Sequence, residues 1–133
     1  MARYIDGFVL VVPSNKTEEY KKMAEGGRDL WMKHGALEYY ECMGDDLKQQ
    51  EMGEMKSRSF VEMAGANTDE TVWFSFIVFE SKAHRDEVNA KVMTEMDEQM
   101  AGHEDMQVPF EMNKMAYGGF QAMVEGLVNN LTA

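Results

Sequence analysis

With a single cysteine, Cys42, the chain can form no internal disulfide, and that scarcity fits a reducing, cytoplasmic setting. Basic side chains are also few. Thirteen Lys and Arg stand against 24 Asp and Glu, and the net charge of −11 repels phosphate backbones and anionic lipid headgroups. Neither nucleic acid nor a membrane is expected as a partner. The longest early apolar run, Phe8 to Val12, stops at Pro13 after five residues, too short for a signal-peptide core or a membrane span. The three histidines, His34, His84 and His103, show no i, i+4 pairing, and the acidic residues follow no calcium-loop pattern. Gly118-Gly119 lacks the helix and lysine of a phosphate loop. No metal ion and no cofactor is expected.

What is present fits one α+β domain over residues 1–133. Seven of the nine residues from Thr71 to Phe79 are apolar, on both alternating faces, which predicts a strand buried on two sides. Tyr4 to Val12 predicts a second such strand. Between them, Asn15 and Glu18 form a capping pair for a helix carrying Tyr20, Met23, Ala24, Leu30 and Trp31, ended by Gly35 and weakened or bent at Gly26-Gly27. Ala36 to Met43 alternates as a half-polar strand nearer the sheet edge. A long polar, partly mobile connection follows over about 46–70, touching the core only through Phe60 to Ala64.

After the central strand, Ser81 caps a helix whose Ala83, Val88, Val92, Met93 and Met96 face the sheet. A separate short helix is expected near Asp97 to Ala101, a last strand over Met115 to Phe120, and a C-terminal extension over about 121–133 that reads as strand or helix. This order predicts a four-stranded antiparallel sheet with both helices on one face. Two helices cannot cover two faces, so a second copy of the sheet is expected on the other. The predicted partner is thus the chain itself.

Several groups carry possible chemistry. His84-Arg85-Asp86 lies in the first turn after Ser81, where the helix dipole disfavours a cation. Arg85 therefore pairs with a carboxylate or meets a ligand's acid group, and His84 beside it is a candidate proton donor or acceptor, as is His34. The alternative is a salt bridge for Arg85, a loop cap for His84, and ordinary core packing near a helix end for His34. Trp31, Tyr39 and Tyr40 are candidates to line an aromatic pocket between helix and sheet, with Asn89 adding a polar group, against ordinary core packing and an exposed asparagine. Cys42, beside Glu41 and near Asp45 and Asp46, reads as a packing residue rather than a nucleophile. The 14 methionines include Met-x-x-Met spacings suited to Cu(I), but methionine at such spacing more often fills core and interface gaps.

Tyr4-Ile-Asp-Gly-Phe-Val-Leu10, His34-Gly-Ala-Leu-Glu-Tyr-Tyr-Glu-Cys42 with Gly44-Asp-Asp46, Ser81 to Met93, and Tyr117-Gly-Gly-Phe120 together resemble the YbaA-like family of uncharacterised small bacterial proteins. The resemblance implies the dimeric α+β barrel superfamily, in which two ferredoxin-like βαββαβ sheets close on each other. It brings no established catalytic residues. The functional expectation is a homodimer holding a small, partly apolar molecule between helices and sheet. The alternative, implied by relatives in the barrel superfamily, is a cofactor-independent oxygenase or isomerase acting on a small aromatic or enolic substrate. A purely structural or interaction dimer is the third reading.

Overall fold

The computed structural model describes residues 2–49, 51–102 and 107–128. Its frame is a four-stranded antiparallel sheet built on β1 (Tyr4–Pro13) and β5 (Glu70–Phe79), which pair along their full length from Tyr4 opposite Phe79 to Pro13 opposite Glu70. Strand β2 (Glu38–Met43) flanks β5, and β6 (Ala116–Gln121) flanks β1, giving the order β2-β5-β1-β6. The two strands with the densest apolar sequence thus occupy the centre, where neither backbone edge meets water.

Helices α1 (Thr17–Lys33) and α3 (Lys82–Met100) cover one face. They pack on alternate residues of the strands: Leu10 and Val12 of β1 and Trp73 of β5 with Tyr20 and Ala24 of α1, and Ile77 and Phe79 with Leu30, Val88 and Val92. No helix among the described residues is long and apolar enough to cross a membrane.

Several local expectations need correction. No side chain caps α1; a 3₁₀ turn, Ser14–Lys16, leads into it, and the Thr17 hydroxyl donates to the Ser14 carbonyl at 3.0 Å. The helix runs unbroken through Gly26-Gly27. Ser81 does cap α3, accepting from the His84 N–H at 3.1 Å. With no glycine or proline before Gly102, α3 absorbs the separate helix expected near Asp97 to Ala101. Ala83 and Met93 are exposed, because the buried stripe runs through Arg85, Val88, Asn89, Val92 and Met96 instead.

The polar connection holds a short hairpin, β3 (Glu51–Met52) with β4 (Met55–Lys56), and then α2 (Phe60–Ala64), capped by Ser59 and closed by Gly65 at φ 67°. Helix α2 rests against β1 and β5 at one end of the second face. Residues 122–128 form neither strand nor helix, and the rest of the C-terminal extension lies outside the described residues.

Beyond α2, no helix among the described residues covers that second face. Its positions are Ile5, Gly7, Val9 and Val11 on β1, Val72, Phe74, Phe76 and Val78 on β5, Ala116, Gly118 and Phe120 on β6, and Glu38, Tyr40 and Cys42 on β2. One of these, Glu38, is charged. Phe74 is 46% exposed and Phe120 61%. Cys42 is also exposed there, not packed as expected.

Candidate functional site

Strand β2 turns Tyr39, Glu41 and Met43 toward the helices, and the register sets Glu41 directly opposite Ser75. Three hydroxyls converge on the Glu41 carboxylate. Tyr20, reaching down from α1, donates to Oε1 at 2.7 Å, Tyr39 donates to Oε2 at 2.6 Å, and Ser75 donates to Oε1 at close range. Trp73 meets the Tyr20 ring edge-on, with centroids 4.8 Å apart. Burial, and then the charge of Glu41, push the Tyr20 phenol well above its ordinary range; burial and the hydrogen bond to Glu41 do the same for Tyr39. Both stay neutral donors at physiological pH.

A groove of 350 Å³ opens over this cluster between α1 and β2, with Glu41, Tyr39, Met43 and Trp73 on its floor and walls and Lys21, Glu25 and Arg28 contributed by α1. Gly27 is what lets α1 come this close. A Cβ there would lie 2.7 Å from the Tyr39 hydroxyl, whereas one at Gly26 would meet nothing within 4 Å. A carboxylate has about four lone-pair sites, so three donors leave one acceptor position, on Oε2.

The second polar cluster is closed. Asp6, 1% exposed, points from β1 toward α3, where Arg85 Nη1 donates to it at 2.7 Å and Asn89 Nδ2 at 3.4 Å. Arg85 also donates to the Tyr117 hydroxyl at 3.1 Å and to Asp86 at 2.8 Å, and lies 4.8 Å from the centre of the Tyr4 ring. Trp31 Nε1 donates to Asn89 Oδ1 at 3.0 Å. Burial and then the Asp6 charge raise the Tyr117 pKa. Among the described residues, no buried side-chain nitrogen or oxygen lacks a partner. The arginine that suits the helix dipole poorly is explained by Asp6, 79 residues earlier.

The sequence candidates therefore divide. Arg85, Asn89 and Trp31 belong to the Asp6 network, and Tyr39 to the groove. Tyr40 borders the groove, but its ring stacks on Phe76 at 4.9 Å on the open face. His34 Nε2 lies 2.8 Å from Glu95, and His84 Nδ1 accepts the Glu80 N–H at 3.0 Å, so each is engaged in a local contact and neither lines the groove. Glu41, Tyr20 and Ser75 are the residues that sequence reasoning missed. The only local sign was a glutamate at an inward position of an otherwise apolar alternation. Among the described residues, no three His, Cys, Asp or Glu side chains are grouped to hold a metal ion.

Fold and groove together define an α+β protein with a four-stranded antiparallel sheet, two main helices on one face and a polar-floored groove beneath the first. The chain belongs to the family described as "Protein of unknown function (DUF1428)", which it matches over residues 3–112. It is 33% identical over 123 residues to "Uncharacterized protein YbaA" of Escherichia coli K12, covering 92% of this chain and 98% of that one. The Shigella flexneri protein of the same name matches to the same extent. The YbaA-like resemblance of the motifs thus extends along most of the chain. Among solved structures, "De novo designed protein Foldit4" aligns with a TM-score of 0.39 and 6% identity over 92% of this chain and 99% of its own.

Proposed function

We propose that this protein is a homodimer that binds a small, partly apolar molecule in the α1/β2 groove without covalent chemistry. The carrying observation is the Glu41 carboxylate, oriented by three hydroxyls at the floor of a 350 Å³ groove and left with one acceptor position. A ligand hydroxyl or amine meets Glu41, its apolar body lies against Trp73 and Met43, and an acid group, where present, meets Lys21 or Arg28. The histidines expected as the base of the oxygenase or isomerase alternative, His34 and His84, do not face this groove.

The strand order β2-β5-β1-β6 with α1 and α3 on one face supports a ferredoxin-like unit. The open face, apolar but for Glu38 at its edge, supports closure of two such units into a dimeric α+β barrel, each a single domain. The lone cysteine supports a cytoplasmic location. Native mass spectrometry of protein purified from its own host tests dimer and ligand together. A dimer carrying retained small-molecule mass, lost in Glu41→Gln, is expected; a bare monomer would overturn the proposal.

A further inference from the structure

The open face carries a second groove, also of 350 Å³, walled by Leu47, Phe60, Val72, Phe74 and the single cysteine, Cys42. At the opposite corner of the same sheet, the chain leaves β6 as a tail whose side chains are strongly apolar and almost uncovered. Met123 is 83% exposed, Val124 93%, Leu127 60% and Val128 95%. The tail is held at its start: the Ala122 N–H donates to the Arg3 carbonyl at 2.9 Å, and the Arg3 N–H donates to Glu125 Oε1 at 2.8 Å.

These residues cannot fill the groove of their own chain. Gln121 lies opposite Tyr4, whereas Cys42 lies at the Phe74/Val9 level, so about five residues of strand and three strand spacings separate them, a diagonal of roughly 22 Å. Once Glu125 is fixed on Arg3, the three residues to Val128 reach only about 10 Å. A two-fold axis lying between two such faces, perpendicular to that diagonal, exchanges the corners. It also sets the strands of the two sheets at near right angles, one of the two packings open to face-to-face sheets.

We infer that the Met123–Val128 tail of each protomer docks into the Leu47/Phe60/Phe74 groove of the other, so that each groove is completed by the second copy. The inference rests on the homodimer of the preceding section and adds its register. The occupant suits the groove because the tail's exposed Met123, Val124, Leu127 and Val128 match a lining that is apolar apart from Asp45, and because the tail continues from Phe120, itself an open-face residue.

Cys42 supplies the test. Full-length Leu127→Cys, oxidised with diamide, is expected to give a covalent dimer on a non-reducing gel, with peptide mapping that joins position 127 of one chain to Cys42 of the other. Cys42→Ser in the same background should abolish that link. Leu127→Asp, at an exposed position, should leave the monomer folded and weaken dimerisation by roughly tenfold or more. If the wild-type protein is a dimer but positions 127 and 42 link only within one chain or not at all, the tail docking is wrong and the dimer stands. If the wild-type protein is a monomer, both fail.

Discussion

Gly27 and Gly26 are neighbours on α1 with opposite duties. Both weaken a helix by about 1 kcal/mol relative to alanine. At Gly26 nothing offsets that, and Gly26→Ala should raise stability by about 1 kcal/mol. At Gly27 the new methyl would displace the Tyr39 phenol from Glu41, sacrificing a charge-assisted hydrogen bond worth about 1.5–3 kcal/mol. Gly27→Ala is therefore expected to destabilise by roughly 1 kcal/mol net, and urea melts showing both variants more stable would remove the role given to Gly27.

The same cluster predicts an alkaline limit to stability. Tyr20 and Tyr39 have folded pKa values above the ordinary 10.0, so the folded state holds their protons more tightly than the unfolded chain does. Their contribution is complete below about pH 10 and is lost as the pH rises beyond that toward the folded values. Urea midpoints should be level up to about pH 9 and fall above pH 10, with a shallower fall in the Tyr20→Phe/Tyr39→Phe double variant.

At the scale of elements, the Asp6–Arg85 pair ties α3 to the centre of the sheet, with Asn89 and Trp31 extending the tie to α1. Arg85→Ala leaves an unpaired carboxylate on a residue that is 1% exposed, and should cost about 3–5 kcal/mol. Replacing both partners, Asp6→Leu with Arg85→Met, should restore most of that loss, because the desolvation of the charges disappears with them. A double-mutant cycle by urea unfolding reads the difference, and near-additive losses would show that the pair does not act as a unit. The elements themselves were largely legible. Two dense apolar strands, the Gly35 stop and the Ser81 cap all appear as local patterns and occur as read. The face of α3 was legible only in part: Val88, Val92 and Met96 lie on it as read, but Arg85 and Asn89, which a hydrophobic period assigns to water, complete the stripe in place of Ala83 and Met93.

At the scale of the whole molecule, charge and the open face act against each other. Two chains of net charge −11 repel at a distance, while the strand positions of the open face proposed to join them include one charged residue, Glu38. Added salt screens the repulsion without weakening apolar contact, so sedimentation should show dimerisation tightening from low salt to about 0.5 M. Phe74→Asp should abolish the dimer and leave a folded monomer, because Phe74 is 46% exposed in the single chain.

The sequence alone determined the class of fold, the central pair of strands and the presence of an apolar face that two helices leave uncovered, because strand and helix periods are written in neighbouring residues. Tertiary structure decided the site. Glu41 becomes an oriented acceptor only when Tyr20, 21 residues before it, and Ser75, 34 residues after it, arrive at the same carboxylate. Asp6 and Arg85 explain one another across 79 residues. Such meetings depend on strand register and helix approach, which no local period records.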